Sequence, residues 1–123
     1  MAIKNALRLR SRKVFASAAL QTLYSDYVES GQIYCFQQVA WEIDKATSEG
    51  NTRCRLYIEG HGYKHFLAGQ DAPTADTLYW YKEPVWLIPR ERLALEIDQG
   101  QDSTTAEMDI TGYWTELKEG IVT

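Results

Sequence analysis

From Gln32 onward, apolar and polar residues alternate in short runs, the period-two pattern that sends successive side chains to opposite faces of a strand. In residues 32–44 this places Ile33, Cys35, Val39, Trp41 and Ile43 on one side and Gln38, Glu42 and Asp44 on the other. The first half of that run is apolar on both sides, so it predicts a strand passing from full to half burial. Residues 53–59 repeat the device, with Cys54, Leu56 and Ile58 set against Arg53, Arg55, Tyr57 and Glu59. Residues 92–98 direct Leu93, Leu95 and Ile97 inward. Residues 106–114 align Ala106, Met108, Ile110, Gly112 and Trp114, with Glu107 and Asp109 on the reverse face.

Between these runs, residues 45–52 and 99–104 are polar and rich in turn formers, and they read as surface connections. A short strand is expected at 63–67, then a loop at 68–76 around Gly69 and Pro73. Residues 77–81 are aromatic and β-prone. Pro84 and Pro89 bracket Val85, Trp86, Leu87 and Ile88. Because proline cannot donate to a ladder, that piece is an edge, a strand start or a corner. Residues 14–24 admit two readings: a helix would align Phe15, Ala19 and Leu23, a strand Phe15, Ser17, Ala19, Gln21 and Leu23. The strands that follow favour β. Seven or eight strands without a helical crossover predict an all-β, antiparallel β-sandwich, with jelly-roll topology as the specific expectation.

A chain of 123 residues suits one domain, and 45% apolar with 24% charged residues is the balance of a folded, water-soluble one. Its apolar stretches are far shorter than the roughly 20 residues a spanning helix needs, so no membrane partner is expected. The basic start lacks the apolar segment of a secretory signal, which implies use without export. Cys35 and Cys54 sit within strand-like runs and read as reduced core thiols, with a cross-strand disulfide as the alternative. Charge is uneven. The net value is −4, yet Lys4, Arg8, Arg10, Arg12 and Lys13 precede the first acid, Asp26. Residues 1–13 therefore read as a basic N-terminal arm, 14–117 as the sandwich and 118–123 as a C-terminal tail. The arm could meet nucleic acid, an acidic protein groove or solvent. Because the carboxylate-rich body would repel a phosphate backbone, the protein groove is the favoured partner.

The order of elements carries a resemblance. Ser30-Gly31-Gln32-Ile33-Tyr34 enters a long strand, and Asn51-Thr52-Arg53-Cys54-Arg55-Leu56-Tyr57-Ile58 forms a second. Pro89-Arg90-Glu91-Arg92-Leu93-Ala94-Leu95-Glu96-Ile97 and Asp109-Ile110-Thr111-Gly112-Tyr113-Trp114 form two later ones. This layout, from about Val14 to Leu117, resembles the small jelly-roll virion structural and accessory proteins of tailed bacteriophages and related viruses. It departs from them where Pro89 and Glu91 occupy the approach to the later strand, at which proline is often followed by glycine. The resemblance implies a virion component made in the host cytoplasm, with capsid, tail or fibre neighbours and no enzymatic duty.

The residues offer little chemistry of their own. His61 and His65 lie about 13 Å apart on an extended strand, too far to share a metal unless Gly62 bends the chain. The pairs Glu107 with Asp109 and Asp98 with Asp102 have glycosidase-like spacing, but nothing marks an acid or a sugar cleft. The serines lack a nucleophile elbow, and Gly60-His61-Gly62 lacks the spacing and lysine of a phosphate loop. No catalytic, metal or cofactor residue is assigned.

The candidate partner-binding residues are Arg8, Arg10, Arg12 and Lys13 with Tyr79, Trp80, Tyr81 and Trp86. The rings could fill the core, meet a protein or stack on sugar. The expected function is non-enzymatic assembly of a capsid, tail or fibre through protein–protein contacts, in a homo-oligomer. The alternative is a carbohydrate-binding or host-attachment module reading a surface glycan, which requires Trp80, Trp86 or Tyr79 to be exposed.

Overall fold

The structure, a computed structural model, describes residues 4–45 and 50–116. Among these residues the chain forms nine strands: β1 (Asn5–Val14), β2 (Gln21–Tyr24), β3 (Gln32–Ile43), β4 (Arg53–Gly60), β5 (Tyr63–Asp71), β6 (Tyr79–Tyr81), β7 (Val85–Leu87), β8 (Glu91–Asp98) and β9 (Thr105–Glu116). All pairings are antiparallel, in two sheets. One runs β1-β9-β3 with β6 and β7 both on the far edge of β3; the other runs β2-β8-β4-β5. β6 and β7 are two pieces of one edge, parted around Pro84, which has no N–H to offer β3.

Two amphipathic sheets exclude water by pressing their apolar faces together, and the core is what lies between. Leu23, Cys54, Leu56, Leu93, Leu95 and Ile97 come from the four-stranded sheet. Tyr34, Phe36, Val39, Trp41, Ile43, Ala106, Met108 and Ile110 come from the five-stranded one. Burying each large aliphatic side chain contributes about 1.5–3 kcal/mol. Both cysteines are free and buried. In the core, burial pushes the Cys54 thiol up to about 11, against the opposing pull of the Trp41 indole and Arg55.

Four sequence expectations change. First, residues 5–13 are not an arm outside the sandwich. They form β1, paired with β9 from Asn5 opposite Trp114 to Val14 opposite Thr105. Leu7 and Leu9 pack against the core, and Arg8, Arg10 and Arg12 take the alternate, outward positions. The cations are thus the polar half of an amphipathic strand.

Second, β3 does not keep one parity. The register shifts between Phe36 and Gln38, so Gln37 is an extra residue, a β-bulge. Tyr34 and Phe36 point inward before it, and Val39, Trp41 and Ile43 after it. Ile33 and Cys35 are left on the outer side. Gly112 lies opposite Phe36, where a Cβ would sit 2.0 Å from the Cys35 carbonyl oxygen, so only glycine allows the two strands this close.

Third, residues 14–24 are neither one strand nor a helix. After Val14 the chain turns in at Phe15, whose N–H donates to Thr104 O and whose O accepts from Ser103 N, both at 2.8 Å. The Phe15 ring plugs that end of the core against Gly100, and strand resumes only at β2. Fourth, β5 runs on through residues 68–71, where a loop is expected, its extra length absorbed by a second bulge at Leu67. The 118–123 tail and most of the connection after Lys45 lie outside the described residues.

Candidate interaction surface

Antiparallel register carries outward residues across the five-stranded sheet in rows. Arg10 faces Asp109, Asp109 faces Ala40, and Ala40 faces Trp80. Two rows over, Ala6, Tyr113, Cys35 and Trp86 are aligned in the same way. Arg8 stands beside Thr111 and Gln38, and Arg12 beside Glu107 and Glu42. Arg8, Arg10, Arg12, Trp80 and Trp86, from two distant stretches of sequence, therefore share one solvent-facing surface. Neighbouring strands lie about 4.8 Å apart, so the arginine edge and the tryptophan edge are about 14 Å from each other.

The tryptophan edge is well exposed, Trp80 at 45% and Trp86 at 55%. Both tryptophans are register partners of small residues, Ala40 and Cys35, which are buried although they face outward. Tyr113 meets Trp86 edge-on at 5.9 Å between centroids. The Lys4 ammonium sits 4.6 Å from the Tyr113 ring centre, and Lys82 sits 5.1 Å from that of Trp80. The surface is thus aromatic with a cationic rim.

On the arginine edge, Arg10 Nε donates to Asp109 Oδ1 at 3.0 Å and lies 3.4 Å from Glu107 Oε1. That hydrogen bond, and then the charge of Glu107, raises the already high pKa of Arg10. Exposed pairs of this kind add little stability but fix where the head group points. Arg8, Arg12 and Lys13 have no ion pair among the described residues. Cations along an open edge also discourage a second copy of β1 from pairing there.

The remaining candidates lie elsewhere. Lys13 has the inward parity of β1 but is exposed, opposite Ala106 at the strand end. Tyr79 and Tyr81 turn inward against the core, Tyr79 stacking on Trp41 at 6.3 Å. Lys4, Lys82 and Tyr113 join the surface although none is among the candidate partner-binding residues of the sequence. The parity of β9 already placed Tyr113 with Glu107 and Asp109, but its neighbours depend on the pairing of β9 with β3. His61 and His65 do not converge: His61 lies in the β4–β5 turn, and His65 meets Tyr63 edge-on at 4.8 Å. Among the described residues no His, Cys, Asp and Glu cluster could hold a metal ion, and no helix is long and apolar enough to cross a membrane.

No protein-family model matches the sequence, and no curated protein sequence does. Solved structures do match. The chain is similar to one in the acidic stable capsid structure of Helicobacter pylori bacteriophage KHP30, with a TM-score of 0.67, 11% identity and 93% of each chain covered. It is more loosely similar to the CBM22-1–GH10 modules of Clostridium thermocellum endo-1,4-beta-D-xylanase 10B, with a TM-score of 0.47 and 14% identity. There 99% of this chain and 26% of the other are covered, too weak a likeness to bear on function. The chain is an all-β protein of two antiparallel sheets that shares the fold of a chain in a phage capsid structure.

Proposed function

We propose that this chain is a viral structural protein, a jelly-roll module that mediates capsid, tail or fibre assembly through protein–protein contacts. On this reading it is made in the host cytoplasm and resides in the virion. The strand orders β1-β9-β3-β6/β7 and β2-β8-β4-β5 support the jelly-roll assignment, because they interleave early and late strands as two Greek keys do. The likeness to a phage capsid chain supports the viral setting. The observation that carries the assembly role is the convergence of Arg8, Arg10, Arg12, Trp80 and Trp86 on one exposed face. Four strand positions by ten residues give that face about 650 Å², within one partner's share of a small specific interface. The tryptophans of its β6–β7 edge and the arginines of its β1 edge are residue types that such interfaces favour.

The test is the solution mass of the full chain by light scattering over a concentration and salt series, beside Trp86→Ser and Arg8→Glu. A discrete homo-oligomer that Trp86→Ser dissociates, with unchanged circular dichroism, supports the proposal. A monomer at every concentration overturns self-assembly through this face.

A second reading, a carbohydrate-binding or host-attachment module, draws on the exposure of the same two tryptophans. Saturable quenching of tryptophan fluorescence by soluble oligosaccharides, lost in Trp86→Ser, would favour it over assembly.

A further inference from the structure

The opposite surface of the sandwich, the outer face of the four-stranded sheet, carries a separate cluster. A cleft of about 780 Å³ opens there, bounded by Tyr24, Tyr27, the β4–β5 turn, Arg90 and Glu96. Pockets of this size suit small molecules. Tyr24, Tyr27 and Tyr63 stand exposed around it. The Arg92 guanidinium lies 3.6 Å from the Tyr24 ring centre and 4.3 Å from that of Tyr27. Its Nε and Nη2 donate to Glu59 Oε1 at 3.1 and 2.9 Å. Lys64 Nζ donates to Glu96 Oε2 at 2.6 Å. Two tyrosines are thus held over a cation that is itself held by a carboxylate.

The rim is built from two turns pressed together. Gly60 lies against the second turn so closely that a Cβ there would be 2.6 Å from Arg90 O. His61 Nε2 lies 3.0 Å from Pro89 O. In the first turn His61 and Gly62 have φ of 52° and 84°; in the second, Arg90 has φ of 70°. Glu91 N donates to Ile88 O at 3.1 Å, so Arg90 occupies the third position of a turn with proline second, where glycine is the unstrained choice. Strain of this kind gathers where a side chain is needed. Arg90 is also the one lysine or arginine lining the cleft without an ion pair among the described residues, since Lys64 is matched by Glu96.

We infer that this cleft binds a saccharide unit bearing a carboxylate, its ring face against the tyrosines and its carboxylate on Arg90. Tyrosine rings offer flat apolar contact with a hydroxyl at the tip, which suits a sugar's C–H face and its hydroxyls. A free guanidinium matches a carboxylate with two parallel hydrogen bonds. Glu59 and Glu96 disfavour a more highly charged phosphate ligand. The inference gives the host-attachment reading a site of its own, on the sheet that assembly through Trp80 and Trp86 leaves free.

The experiment titrates the full chain with N-acetylneuraminic acid, glucuronic acid and glucose, followed by saturation-transfer NMR and calorimetry. Saturable binding of the acidic sugars is expected, with glucose weaker by about tenfold or more, as loss of a charge-assisted hydrogen bond requires. Arg90→Gly relaxes the turn, so it should keep or raise the melting temperature while weakening the acidic sugars by the same factor. Trp86→Ser should leave that binding unchanged, which separates this cleft from glycan capture on the other sheet. Absence of saturation transfer from both acidic sugars, equal affinity for glucose, or full binding by Arg90→Gly would each overturn the inference.

Discussion

Replacing Gly112 by alanine tests the bulge that decides which way half of β3 faces. A Cβ at residue 112 would lie 2.0 Å from Cys35 O, 2.9 Å from Phe36 Cα and 3.0 Å from Cys35 C, all backbone atoms of the paired strand. No rotamer change relieves such contacts, so β3 and β9 must separate near the middle of the five-stranded sheet. Overpacking of a tight site costs about 3 kcal/mol or more when the surroundings cannot yield. A domain of this size has on the order of 10 kcal/mol of stability, so the loss is a large fraction of it. With a urea slope of about 1.5 kcal/mol per molar, the unfolding midpoint should fall by about 2 M. Gly31→Ala is the control: it meets nothing within 4 Å and is penalised only for its φ of 82°, a cost of about 1–2 kcal/mol. A second readout uses Cys35, which the bulge places on the outer face, buried between its register partners Trp86 and Tyr113. In a Cys54→Ala background, Trp86→Ala should open Cys35 to a thiol reagent in the folded protein. An unchanged urea midpoint for Gly112→Ala, with Cys35 still protected after Trp86→Ala, would refute the bulge and restore an inward Cys35.

Three further outcomes follow from single contacts. Ser25 Oγ accepts the buried Leu93 N–H at 2.8 Å, so Ser25→Ala should cost about 1–3 kcal/mol in urea unfolding by leaving that donor unsatisfied. Arg90→Gly should raise the melting temperature by a few degrees, because glycine takes a φ of 70° without the strain arginine bears there. The Cys54 thiol is raised by burial from 9.0 to about 11. Its neutral form is therefore favoured by folding, and the associated stability is complete below pH 9 and lost as pH rises toward 11. That loss is about 2–3 kcal/mol and should appear as a steeper alkaline fall in urea midpoint for the wild type than for Cys54→Ala.

Local alternation made much of the sandwich legible. In β4, β8 and β9 one parity is apolar and the other mostly polar, and Cys54, Leu56, Leu93, Leu95, Ile97, Ala106, Met108 and Ile110 all reach the core that this parity assigns them. In β3 the stretch Ile33-Tyr34-Cys35-Phe36 is apolar on both faces, so the pattern cannot say which face is buried. The deciding residue is Gly112, some 75 positions later in the chain. The N-terminal stretch misled for a different reason. Lys and Arg dominate its composition, yet Leu7 and Leu9 alternate with Arg8, Arg10 and Arg12 in the same period as every other strand. Read by composition it is an arm; read by period it is an edge strand.

The candidate surface was half legible for the same physical reason. Sequence parity already separated Trp80 from Tyr79 and Tyr81, but the outward side depends on which strand lies beside β6. That strand is β3, and its inward-facing Trp41 receives Tyr79 and so turns Trp80 to solvent. Arginines and tryptophans then meet on one face because β9 and β3 lie between β1 and the β6–β7 edge. A sandwich built this way has two independent outer faces, since a substitution on one sheet's solvent side reaches the other only through the core. The tryptophan face and the tyrosine-lined cleft should therefore respond separately to mutation, and additive losses in a Trp86→Ser, Tyr27→Ser double variant are what that separation requires.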